Sequence, residues 1–211
     1  MTSALPMIVP QLTHSRRTGR PTGQKPPLQP KEVWAIRVRL QIAGRGRDLA
    51  FFNLAIDSKL RGCDLVHLKV SDIAQMGQAR TRAMIIQQKT KTPVQFEITA
   101  PTREAVNAWI RQAGLTDGDW LFPSRIRACP HITTRQYQRL VKEWVASVVG
   151  LDPSRYGSHS LRRTKATQIY KRTGNLRAVQ ILLGHAKIES TVQYLGVEVE
   201  DALTISEQIE L

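Results

Sequence analysis

Residues 158–174 read SHSLRRTKATQIYKRTG, and the reading of this stretch decides the rest. Ser158 ahead of it and Gly174 behind it are a helix start and a helix stop. In a helix, positions i and i+3 share a face, so His159 and Arg162 stand together in the first turn. Unpaired backbone N–H groups and the macrodipole already favour an anion there. An arginine at that point can grip two phosphate oxygens at once, while Arg163 and Lys165 point to flanking phosphates. Taken alone, a histidine and an arginine three apart also read as a solvated cationic face.

Further residues of the same chemistry lie outward from that stretch. Downstream, LRAVQILLG is a short helix ending at Gly184, His185 follows it, and Tyr194 comes nine residues later in ESTVQY. Upstream are Arg61 in KLRGCDL and Lys89 in QQKTKT. No metal-ligand cluster, glycine-rich phosphate loop or carboxylate pair competes with this set. Two guanidiniums, a lysine and two imidazoles make a poor hydrophobic core but a good cage for a phosphate. A tyrosine beside them supplies a nucleophilic hydroxyl. Such a cage points to metal-free and cofactor-free phosphoryl transfer through a covalent enzyme intermediate.

Composition agrees with a polyanionic substrate. The chain has 211 residues, 31 Lys plus Arg against 17 Asp plus Glu, and a formal charge of +14. Residues 197–211 hold five of the acids and no Lys or Arg, which leaves 31 basic against 12 acidic side chains, or +19, on residues 1–196. A basic body of this size attracts nucleic acid. The length suits one substantial domain with a tail. Cys63 and Cys129 are far apart and read as reduced thiols, and Cys129-Pro130-His131 is too little for a metal site. The start has no signal-peptide pattern and no run approaches membrane-spanning length, so the expected place is the cytoplasm, with the nucleoid DNA.

Residues 1–30 carry six of the eleven prolines and no acid, a composition that reads as a flexible or partly draped arm. Its Arg16, Arg17, Arg20 and Lys25 suit a phosphate backbone. Order is expected from about Pro30, with a domain over 31–196 and an acidic segment over 197–211. PKEVWAIRVRLQIAG reads as a helix, although Trp34, Ile36, Val38, Leu40 and Ile42 also alternate. RDLAFFNLAIDSKL is a buried helix, and RGCDLVHLKVSDI a short helix leading into a strand. AMIIQQ and PVQFEIT form a hairpin with lysines at its tip. Helices follow over TREAVNAWIRQAG and TTRQYQRLVKEWVASVVG, the latter with a Thr cap and a Gly stop. The fold class expected is α+β, mainly helical, with one small antiparallel sheet.

HSLRR, then LLGH, then a tyrosine nine residues on, resembles the tyrosine recombinase (phage integrase) family. The resemblance extends to KLRGCDL, the family's first-arginine motif, with Asp64 where Glu is usual and Lys59 where Gly is usual. It extends also to QQKTKT, the lysine-bearing hairpin, with Lys89 in the lysine's place and Lys91 as the alternative. It covers about residues 30–200 and fills six positions: Arg61, Lys89, His159, Arg162, His185 and Tyr194. The resemblance implies the DNA breaking-rejoining fold, Tyr194 as nucleophile, and Asp64 in support of Arg61. It implies site-specific recombination on paired sites in double-stranded DNA, for integration, excision or inversion. It further implies a homo-oligomer, tetrameric on DNA and monomeric or dimeric when free, with an accessory DNA-bending protein. The alternatives are a type IB topoisomerase-like enzyme and a catalytically silent DNA-binding regulator. Family members usually carry a helical core-binding domain ahead of the catalytic one; about 30 residues stand there in this chain, as in the short fimbrial-switch invertases.

Overall fold

Helix α2, Gly46–Ser58, is the pillar around which the other elements pack. Every residue from Ala50 to Ser58 is buried, because the helix is covered by α1 (Pro30–Ile42), α5 (Ala100–Ala113) and α7 (Ser158–Thr173). The structure is a computed structural model that describes residues 24–125 and 129–196. Arg16, Arg17, Arg20 and the acidic segment 197–211 lie outside the described residues.

The ambiguous first segment is helical. Val33, Ile36 and Leu40 are buried at helical spacing, whereas Trp34 and Ile42 of the alternating set are exposed. Pro30 opens it, and the Glu32 side chain accepts from the Gln29 backbone N–H at 2.7 Å. A proline in the first turn costs nothing there, since its missing N–H would have had no helical partner. The chain packs against the body somewhat earlier than expected. Leu28 is fully buried and its N–H donates to Thr164 Oγ1 at 3.0 Å, so the extended stretch before α1 belongs to the domain.

After α2 come two short helices, α3 (Gly62–Val66) and α4 (Val70–Ile73), where one was expected. Strands β1 (Ala74–Gln75) and β2 (Gln78–Ala79) form a minimal ladder. Strands β3 (Arg82–Ile86) and β4 (Pro93–Glu97) form the expected hairpin, in a register that pairs Arg82 with Glu97 and Ile86 with Pro93. Among the described residues there are thus two small antiparallel sheets in a mainly helical fold. Helix α6 (Thr134–Trp144) starts on Thr133, whose side chain accepts from Gln136 N while Gln136 Oε1 accepts from Thr133 N. It runs on through a π-turn, Val145–Val149, to Gly150 at φ 70°. Helix α7 begins one residue earlier than a Ser158 cap would place it. Gly157 is the cap, and its N–H donates to Ser160 Oγ at 3.2 Å.

The main core is an aromatic knot. Phe51 meets Phe122 and Tyr137 edge-on at 4.5 and 4.7 Å between ring centres, and Phe52 meets Trp144 at 5.4 Å. The last two helices, α8 (Leu176–Leu183) and α9 (Ile188–Leu195), belong to a separate and much smaller cluster of Ala166, Val179 and Leu183. Truncation at the centre of the knot therefore removes the contacts that join α2 to α6 and to the Phe122 segment. Phe51→Ala is expected to cost about 3–5 kcal/mol in urea unfolding; a loss under about 1 kcal/mol would mean that the knot is not the organising core.

Candidate active site

Arg162 sits one turn into α7, is only 3% exposed, and donates from Nη2 to the Leu183 carbonyl at 2.8 Å and from Nη1 to the Lys59 carbonyl. Those carbonyls stand at the C-terminal ends of α8 and α2. Arg61 caps α3 and donates from Nη1 to Gln87 Oε1. Gln87 is fully buried at the base of the hairpin turn, takes a second hydrogen bond from Thr90 Oγ1, and donates to the same Leu183 carbonyl at 3.4 Å. One carbonyl thus ties both arginines, one of them through Gln87. Gly184 makes this possible: it stands at φ 63°, and a Cβ there would collide with Val94 and crowd Gln87. Gln87 was not visible as a site residue, since a lone glutamine in a strand carries no signal.

Lys89 projects from the hairpin turn and lines a cavity of about 640 Å³ together with Arg61 and His159. Lys91 holds the turn in left-handed conformation at φ 56° and is not among the lining residues. Asp64 does not brace Arg61. Its Oδ1 accepts from the Gln88 backbone N–H at 2.8 Å, so the buried carboxylate fixes the hairpin next to Lys89. Most of the rest of the wall comes from α6, through Thr134, Arg135, Gln138, Arg139 and Lys142. Their spacing in TRQYQRLVKEW, opposite the buried Tyr137, Val141 and Trp144, is a readable signal for a cationic helix face, although it belongs to none of the site motifs.

Both imidazoles are kept neutral. Burial and the cations Arg162, Arg163, Arg61 and Lys89 hold His159 below its ordinary range. Burial, with Arg162 and Arg61, pushes His185 down to about 4. The His185 Nδ1 lies 3.1 Å from Thr191 Oγ1; if Thr191 donates, the proton of the neutral ring is on Nε2, which is then a free donor. Tyr194 lies edge-on to His185 at 5.4 Å, with the guanidiniums of Arg163 and Arg162 at 5.1 and 5.9 Å from its ring centre. Its hydroxyl is closed off from solvent, with the Arg162 guanidinium as its polar neighbour. Burial pushes it up to about 12 against the pull of those arginines. Arg162, His185 and Tyr194 therefore meet one another, while Arg61, Lys89 and His159 meet at the cavity.

Two residues expected on flanking phosphates turn inwards. Arg163 is 6% exposed and donates to the Lys25 carbonyl at 2.9 Å and to Gln24 Oε1. Lys165 pairs with Asp57 and Glu97, each at 2.7 Å, because α7 packs that face on α2 and β4 rather than leaving it in solvent. Among the described residues no three His, Cys, Asp or Glu side chains converge to hold a metal ion, and no helix is long and apolar enough to cross a membrane.

Residues 28–200 match the phage integrase family, and the chain belongs to that family. It is 32% identical over 152 residues to tyrosine recombinase XerC of Erythrobacter litoralis, covering 72% of this chain and 47% of that protein. It is 27% identical over 152 residues to the probable integrase/recombinase YoeC of Bacillus subtilis, covering 72% of this chain and 78% of YoeC. The chain thus spans about half the length of the XerC relative. Its fold matches the XerH site-specific recombinase solved on its difH substrate before cleavage, with a TM-score of 0.68 at 18% identity over 87% of this chain and 55% of that one.

The depressed histidine makes stability depend on pH. Folded, His185 stays neutral to about pH 4; unfolded, it takes up a proton near 6.5. Between those values the unfolded state binds more protons, so stability is full above about pH 6.5 and falls as the pH drops toward 4. The Tm should decline from about pH 7 to about pH 5, and His185→Gln should flatten that decline. An equally steep decline in the variant would show that His185 titrates normally in the folded protein.

Proposed function

We propose that this chain cuts and rejoins DNA as a site-specific recombinase, through a 3′-phosphotyrosyl link made by Tyr194. The observation that carries the reading is the packing of Tyr194 against His185 and Arg162, beside a cationic cavity lined by Arg61, Lys89 and His159. The family, and the recombinase names of the relatives, support it.

In this reading the Tyr194 oxygen attacks the scissile phosphorus in line and a phosphorus–oxygen bond to tyrosine forms. The bond to the 5′-oxygen breaks, and its electron pair leaves with that oxygen. His159, neutral at working pH, receives the tyrosine proton, and Lys89 protonates the leaving oxygen. Arg61 and Arg162 neutralise the non-bridging oxygens as charge builds, and they are already oriented before substrate arrives. His185 donates from Nε2 to a non-bridging oxygen. A partner strand's 5′-hydroxyl reverses the step, so bond energy is conserved and neither nucleotide nor metal is consumed. The α6 face of Arg135, Arg139 and Lys142 extends the cage along the duplex backbone, where contacts would be strongly salt-dependent. Recombination further requires paired sites and a homo-oligomer, with a DNA-bending helper to strengthen the hold on DNA.

Tyr194→Phe should bind a nicked suicide duplex as the parent does and form no covalent adduct on a denaturing gel. An adduct that persists, or that maps to Tyr156 or Tyr170, would overturn the assignment. Arg61→Ala should slow adduct formation by about 3 kcal/mol of activation free energy, the worth of a preorganised oxyanion donor. A parent enzyme that relaxes supercoils but never joins two sites would move the reading to the topoisomerase class.

The choice of lysine is tested by leaving-group chemistry. Lys89→Ala should be inactive on an ordinary phosphodiester and recover on a 5′-bridging phosphorothiolate, whose sulfur needs no proton. Lys91→Ala should keep most of its activity on both. Recovery by the Lys91 variant instead would transfer the role across the turn.

A further inference from the structure

Gln24 and Lys25, the first described residues, lie against the helix that carries Tyr194. The Gln24 side chain bridges two elements: Nε2 donates to the Gln193 carbonyl on α9, and Oε1 accepts from Arg163 Nη2 on α7. Arg163 Nη1 donates to the Lys25 carbonyl at 2.9 Å, and Lys25 Nζ donates to the Ser154 carbonyl at 2.6 Å. The same Arg163 guanidinium packs 5.1 Å from the centre of the Tyr194 ring. Two residues from one end of the chain therefore hold both the neighbour of Tyr194 and the cation stacked on it.

Among the described residues, α9 is otherwise held by the Thr191–His185 hydrogen bond and by the packing of Tyr194 on His185 and the two arginines. It has eight residues, of which Thr191 alone is fully buried, and its core partners are the small cluster of Ala166, Val179 and Leu183. In this seating the Tyr194 hydroxyl is closed off from solvent, and Tyr194 is not part of the cavity wall. An in-line attack needs the oxygen in contact with a phosphate. The seating seen here does not allow that.

We infer that Gln24 and Lys25 form a clamp that withholds Tyr194: α9 must part from Gln24 before the hydroxyl can meet a DNA phosphate. Gln24 and Arg163 are then positioning residues that act through α9, and neither touches the phosphate. A contact of this size shifts the populations of two nearby seatings without being needed for the fold. The inference rests on the phosphotyrosine reading and adds a control to the same site.

The test uses the full chain with Gln24→Ala and a nicked suicide duplex. Covalent adduct should form several-fold and up to roughly tenfold faster, the worth of the neutral hydrogen bond from Gln24 Nε2 to the Gln193 carbonyl. Affinity for the same duplex, measured in a Tyr194→Phe background, should not change. Without DNA, amide hydrogen exchange in α9 should quicken in the Gln24 variant while that in α2 stays as it was. An adduct rate that is unchanged or slower, or α9 exchange that does not move, overturns the clamp. No adduct from the parent protein would defeat the phosphotyrosine reading itself, an outcome distinct from any rate difference between parent and variant.

Discussion

The guanidinium of Arg162 is buried between the C-terminal ends of two helices, donating to the carbonyls of Lys59 and Leu183. A buried cation without partners would cost several kcal/mol, and the partial negative charge of a helix end is a suitable partner. The arrangement can be satisfied only if α2, α7 and α8 all reach their places. Helix α8 in turn presents the Leu183 carbonyl to Gln87, and through it reaches Arg61 and the hairpin. Folding of the C-terminal helices and assembly of the cage are consequently one event.

Lys59 shows how this chain meets a backbone demand in its own way. The position is left-handed, at φ 54°, where a non-glycine residue costs roughly 1–3 kcal/mol. Here the side chain runs inwards, fully buried, and its amine donates to the Asp57 carbonyl at 2.6 Å and to Glu97 at 2.9 and 3.0 Å. Glu97 and Asp57 are shared with Lys165, and Asp57 also accepts from Thr99 and Thr102. Burial alone would raise the Asp57 carboxyl, but Lys165, Thr102 and Thr99 outweigh it and hold it low. The network pins the end of α2 to β4 and α7. It thereby fixes the carbonyl that Arg162 uses.

The electrostatic character of the site follows from crowding cations. Burial first, and then the cations Arg162 and Arg61 with Arg163 and Lys89 added at His159, disfavour a positive charge on the imidazoles, so both histidines rest neutral. The arginines favour an anion, while burial keeps the Tyr194 hydroxyl protonated. Cations packed this closely repel one another, and the phosphate of the proposed reaction would relieve that repulsion.

Much of the helical framework could be read locally. Thr133 and Gly150 bracket α6 and its π-turn, Gly184 ends α8, and Lys89 stands at a hairpin tip, because caps, turns and apolar period are properties of neighbouring residues. The sequence by itself also carried the argument for the proposed kind of site, since so many cations beside a tyrosine suit little except a phosphate. What it left open was which side of a helix is inside. Arg163 and Lys165 read as solvent-facing beside Arg162, yet the packing of α7 against α2, β4 and residues 24–25 turned both inwards. Asp64 found the hairpin backbone instead of Arg61, and Gln87 became the joint between the arginines. These partners lie tens to more than a hundred residues apart, and their meeting depends on the angles at which helices pack. Local periodicity carries no record of those angles, so only the tertiary structure decided them.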